Sequence, residues 1–182
     1  MSKKVLLAGE SWMSNTTHTK GFDSFFTGVY ETGETRLVEA LEANGYDVTF
    51  LPNHLAGEKF PFSLEELKEY DCIILSDIGA NTLLLPAVTF SKSVKMPNRT
   101  KVIRDYVLDG GSLLMIGGYL TFSGVDAKGK WHDTAVQDVL PVEILTVDDR
   151  MEHCEGVKPV TIKEHKALQG VGSDWPEVLG YN

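Results

Sequence analysis

The sequence predicts an α/β fold: a three-layer, flavodoxin-like sandwich around a mainly parallel central sheet. Three observations point there. Short, continuously apolar runs such as "VLLA", "CIIL" and "SLLMI" recur, as strands buried on both faces require. Helical stretches with apolar residues at three- and four-residue spacing alternate with them. The intervals between runs leave room for the right-handed crossovers that parallel strands need.

"KKVLLAGE" reads as the first strand, apolar from Val5 to Ala8. The polar stretch "SWMSNTTHTKGFDSFFTGVYETG" reads as a long loop. "ETRLVEALEANG" places Leu37, Val38 and Leu41 at helical spacing, with Gly45 as a C-terminal stop. "YDVTFLP" is the second strand, ending at Pro52. Ser63 and Glu66 have the spacing of a capping box, so a short helix starts near Leu64. "DCIILSDIG" is the third strand. Residues 80 to 98 contain Pro86 and Pro97 and are too irregular for one helix. "RTKVIRDYVLDGG" is a helix that turns Val102, Ile103, Tyr106 and Val107 inward, and "SLLMIGG" is the fourth strand. Beyond it the reading is a short helix at "HDTAVQDVL", a loop at "VDDRMEHCEG" and a strand at "VKPVTIKE".

The chain has 182 residues, 42% of them hydrophobic and 24% charged, which suits a single domain spanning 1–182 with a substantial core. A net charge of −9 argues against nucleic acid or an anionic membrane as partner, since both select clustered Lys and Arg. The apolar run after Lys3 and Lys4 meets Glu10 too soon for a signal peptide, and no stretch has the length of a membrane span. Cys72 in a strand and Cys154 in a polar loop make no disulfide framework, so a cytoplasmic protein is expected.

In such sheets ligands bind beyond the carboxyl ends of the strands, where strand order reverses, here between the first and third strands and next to the fourth. Polar groups stand at all three exits: Glu10 and Trp12, then Asp77 and Asn81, then Gly117, Gly118 and Tyr119. These are the candidate ligand-binding residues. Each also has a structural reading. Asp77 and Asn81 can cap the turn after the third strand, Glu10 can be a solvated strand end, and the aromatics can be packing residues. The paired glycines allow close backbone approach to a ligand or to a crossing strand. Neither a dinucleotide fingerprint nor a phosphate-binding P-loop is present, so no cofactor is expected. The histidines form no metal-binding pair, and the acidic run from Asp148 to Glu155 reads as a solvated loop rather than a metal site.

"GGSLLMIGGYLTFSG" after "RDYVLDG", with "YDCIILSDIGANTLLLP", "DTAVQDVLPVEIL" and "DDRMEHCEGVKPV", resembles the glutamine amidotransferase-like family over nearly the whole chain. That family belongs to the class I glutamine amidotransferase-like superfamily and is related in fold to the trehalose-utilisation proteins. The resemblance implies a cysteine nucleophile after the fourth strand, activated by a later His and Glu. Counting from Gly110-Gly111, that position falls on Gly117, so thioester chemistry is excluded there. The resemblance also implies further strand-forming sequence after Asn182 to finish the sheet.

Three functions are compatible with these residues. The first is a degenerate domain that binds a small polar metabolite through carboxylate, amide and aromatic groups, with a sugar-derived ligand implied in part by the resemblance to the trehalose-utilisation proteins. The second is an acid/base enzyme without a covalent intermediate, with Glu10 or Asp77 as base, His18 as acid and the Gly117 and Gly118 amides as an anion cradle. The third is a homo-oligomeric assembly protein, in which 11–32 (Phe22, Phe25, Phe26) and 80–98 (Leu83, Leu84, Leu85) supply apolar subunit contacts.

Overall fold

The computed structural model describes residues 2–182. Four parallel strands form the central sheet: β1 (Lys4–Gly9), β4 (Asp47–Pro52), β5 (Cys72–Ser76) and β6 (Ser112–Ile116). Their order is β4-β1-β5-β6, so the direction of winding reverses between β1 and β5, the first and third strands expected from sequence. In this register Gly9 lies opposite Ser76, and Ser76 opposite Ile116. The residues that follow each strand therefore leave the sheet at one level.

Helices cover both faces. On one side α1 (Thr35–Ala43) lays Leu37, Val38 and Leu41 over Val5, Leu7 and Ile74. On the other, α2 (Asn53–Lys59), α3 (Leu64–Leu67), α4 (Ala80–Leu84) and α6 (Arg99–Leu108) contribute Ala56, Leu67, Leu83 and Ile103 to a core that includes Leu6, Ile73, Leu75 and Phe60. The capping box at α3 forms in full: Ser63 accepts from the Glu66 amide at 3.3 Å, and Glu66 accepts from the Ser63 amide at 3.1 Å. Pro86 splits 80–98 into α4 and α5 (Ala87–Lys92). Leu83 is core rather than surface, whereas Leu85 and Phe90 are exposed.

A buried cation, Arg99, ties the helical layer together. Arg99 has no exposed surface, and its guanidinium donates to Leu83 O at 2.7 Å, Gly57 O at 2.9 Å, Ala56 O at 3.1 Å, Thr82 O at 3.3 Å and Phe60 O at 3.4 Å. Its partners are helix carbonyls near the ends of α2 and α4, where negative dipole charge gathers, and it stacks 4.4 Å from the Phe62 ring. Burial lowers its pKa to about 10.

Three expectations are corrected. Residues 11–32 are not a loop but a hairpin, β2 (Ser11–Lys20) and β3 (Asp23–Thr32), in unbroken antiparallel register. Thr, Val, Phe and Tyr dominate it, all strand formers. Gly21, at φ 65°, is the first residue of its two-residue turn, where hairpin geometry demands positive φ. Residues of "DRMEHCEG" likewise form a strand, β7 (Met151–Val157), so Cys154 is on a strand. The strand expected at "VKPVTIKE" is largely irregular, and β7 pairs instead with β8 (Val178–Tyr181). "HDTAVQDVL" contains a short 3-10 turn, Ala135–Val139. Among the described residues, no helix is long and apolar enough to cross a membrane.

Candidate functional site

The exits of β1, β5 and β6 meet at one sheet edge. Glu10 and Asp77 directly follow the paired residues Gly9 and Ser76, and both take left-handed backbone, each with φ 45°. Non-glycine residues in that region carry strain, which concentrates at functional sites. The Glu10 amide donates to Ser76 O at 2.9 Å, and the buried Ser76 hydroxyl donates to the Glu10 carboxylate. The Asp77 carboxylate accepts from the Leu120 amide at 2.8 Å and so anchors the loop after β6.

That loop crosses the exit of β5. The Trp131 indole, fully buried, donates to Ile78 O at 2.8 Å, and the Ala80 amide donates to Gly129 O at 2.8 Å. Asp149 clasps the loop from the other side, accepting from the Ser123 amide at 2.9 Å and the Gly124 amide at 2.7 Å. Five non-glycine residues of this loop, Phe122, Asp126, Ala127, Lys130 and Asp133, have φ between 50° and 58°. The strained backbone is held by these clasps.

The glycines expected to cradle a ligand are closely approached by the chain itself. A Cβ at Gly118 would lie 2.9 Å from Asp77 Oδ1, and one at Gly117 would lie 2.7 Å from Asn182 Oδ1. The Gly118 amide donates to that Asn182 oxygen at 2.8 Å, and the Asn182 amide donates to Asp149 at 2.8 Å. Beyond them opens a groove of about 560 Å³, lined by Gly117, Gly118, Tyr119, Arg150, Glu152 and Tyr181 among others. Arg150 sits 5.1 Å from the centre of the Tyr119 ring. It donates to both oxygens of Asp148, at 3.1 and 2.9 Å, and to Glu152 at 3.3 Å. The Arg150 guanidinium, with the amides of Asp126 and Arg150, holds the Asp148 carboxyl well below the usual carboxylate range.

The other candidates lie apart. Trp12, at the base of the hairpin, is 44% exposed and donates its indole N–H to Glu31 at 3.1 Å. His18 lies far along the hairpin, about 25 Å of strand from Glu10, stacked on Phe25 at 4.6 Å with its Nε2 3.1 Å from the Thr27 hydroxyl. Asn81 is an exposed residue of α4. Cys72 opens β5, at the end of the sheet away from Gly117. Sequence reasoning missed Arg150, Glu152 and Tyr181: Arg150 directly precedes β7, Glu152 lies on it and Tyr181 on its partner β8, and the first two fall in a stretch read as loop.

The fold and this edge define an amidotransferase-like α/β domain. The chain belongs to the family described as "Putative glutamine amidotransferase", whose model matches residues 4–182. Two solved structures are similar to it. Cytoplasmic Protein STM3548 from Salmonella typhimurium is 44% identical, with a TM-score of 0.93 and coverage of 98% of this chain and 72% of that one. Cytoplasmic Protein STM1381 from Salmonella typhimurium LT2 is 46% identical, also with a TM-score of 0.93, covering 98% and 73%. Among curated proteins nothing matches.

Proposed function

We propose that this domain binds a small polar metabolite, sugar-derived in chemistry, in the groove beyond β6, and does not hydrolyse glutamine. The groove itself carries the reading: tyrosine rings from Tyr119 and Tyr181 flank Arg150 and Glu152 in about 560 Å³, enough for a monosaccharide-sized ligand. Arg150 is already neutralised by Asp148 and Glu152, so a neutral polyol suits the groove better than a multiply charged anion. Aromatic faces stack on the apolar side of a sugar ring, and the free carboxylate oxygen of Glu152 accepts a hydroxyl.

Gly117 stands where the resemblance implies a nucleophile, and it has no group to form a thioester. Glu10 and Asp77 are engaged with Ser76 and Leu120, which favours binding over acid/base turnover. A cytoplasmic setting fits, supported by the names of the two similar proteins. The test is a thermal-shift screen of monosaccharides, polyols and their acids, repeated with Tyr119→Ala and Glu152→Gln. Stabilisation of the wild type by a sugar or polyol that both variants lose is the expected result. No shift with any sugar-class compound, or glutamine hydrolysis by the purified protein, would overturn the reading.

A further inference from the structure

The hairpin β2–β3 stands out from the body of the domain and lacks the protection that free strands need. No residue of β3 is buried, and among the described residues its only sheet partner is β2. A two-stranded hairpin is marginal in water by itself. Natural edge strands are guarded by charge, proline or bulges. This one has none of these from Ser11 to Thr19 or from Ser24 to Tyr30. Phe22 at the turn is 107% exposed and Phe26 is 77% exposed.

We infer that two copies of this chain join through these hairpins, β2 against β2, forming one antiparallel four-stranded sheet across a two-fold axis. A second copy is the fitting occupant because antiparallel pairing of a strand with itself is self-complementary. The charges choose the edge and the register. With the axis at Thr16, midway along β2, Trp12 faces Lys20 of the partner subunit. The ammonium then meets the Trp12 ring beside Glu31, which already accepts the indole N–H. Pairing through the middle of β3 would instead bring Asp23 and Glu31 of the two copies close together, acid beside acid. In the β2 register the turn comes level with Glu10 and Ser11 of the other copy, so Phe22 is delivered to the sheet edge there and borders the neighbouring site.

The pairing covers the free edge of β2 along its length, and it brings the exposed Trp12 and Met13 of β2 and the fully exposed Phe22 of the turn against the second copy.

The test combines light scattering with cross-linking and is independent of any metabolite. The wild type is expected to scatter as a dimer at micromolar concentration, and Lys20→Glu and Phe22→Ser each to weaken the dimer tenfold or more while the domain keeps a cooperative thermal unfolding transition. In a Cys154→Ser background, Thr16→Cys is expected to form an intermolecular disulfide on mild oxidation, and Thr27→Cys, on the outer strand, is not. A monomeric wild type, a dimer indifferent to both variants, or cross-linking through Thr27→Cys instead would each overturn the inference.

Discussion

The side-chain nitrogen of Asn53 donates to the backbone carbonyl of Asp77 at 3.0 Å and, at the same time, to that of Ser11 at 2.8 Å. Its own amide donates to the Ser11 hydroxyl at 2.8 Å. One residue, the first of α2, therefore binds together the exits of β1, β4 and β5. Asn53→Ala strands two part-buried carbonyls and is expected to cost about 2–3 kcal/mol, measured by urea unfolding. Asn53→Asp, which turns a carboxylate toward both carbonyls, should be worse. A loss below that of an ordinary surface substitution would show that the exits are held elsewhere.

Gly118 and Asp77 form a second coupled pair. A methyl group at Gly118 displaces the Asp77 carboxylate from the Leu120 amide, so Gly118→Ala and Asp77→Ala should loosen the same loop. The bond is charge-assisted, so each variant should lose about 1.5–3 kcal/mol, and the double variant should lose far less than the sum. Hydrogen exchange at Leu120 reads the change directly, and full additivity would contradict the coupling.

Arg99 is not replaceable by lysine. Five carbonyls share a planar fork that an ammonium cannot reproduce. Arg99→Lys should destabilise by about 2 kcal/mol or more and Arg99→Ala by about 3–5 kcal/mol, as thermal unfolding would report. A lysine variant as stable as the wild type would refute this role.

Acid should release the rim of the groove at Asp148. Its carboxyl is held below its unfolded value, so the stability it lends is fully present above about pH 4. That contribution is lost as pH falls through the folded value. Carbon NMR of the side chain should show Asp148 still ionised where free aspartate is half protonated. Titration at the ordinary value would contradict the clasp, and Asp148→Asn should remove the acid dependence.

The two thiols should separate cleanly. Burial, with the Asp71 charge, pushes the Cys72 thiol up, and Cys154 is exposed. Near pH 8 an alkylating reagent is expected to modify Cys154 at least tenfold faster, read by mass spectrometry of the digested protein. Equal rates would mean that β5 opens readily at its start.

The sheet was legible in the sequence because parallel strands buried on both faces leave continuous apolar runs such as Val5–Ala8 and Ile73–Leu75. The exits followed from topology, so Glu10, Asp77 and Gly117 could be placed at one edge. The hairpin was not legible. It buries no face, so its residues do not alternate apolar with polar, and only Gly21 and the strand-forming side chains marked it. The groove was half visible for a related reason: Tyr119 follows a strongly apolar strand, whereas Arg150 and Glu152 sit in a charged run that reads as solvated. Asn53 left no signal at all, since its role is set by the two carbonyls it meets in three dimensions.

The partners of Arg99 are uncharged carbonyls around a guanidinium with no exposed surface, whereas Arg150 is held by exposed carboxylates. Dissolved ions screen the second kind of attachment and hardly touch the first. Raising ionic strength should therefore loosen the groove's rim while leaving the helical layer fixed, so salt concentration alone should separate the behaviour of the groove from that of the scaffold beneath it.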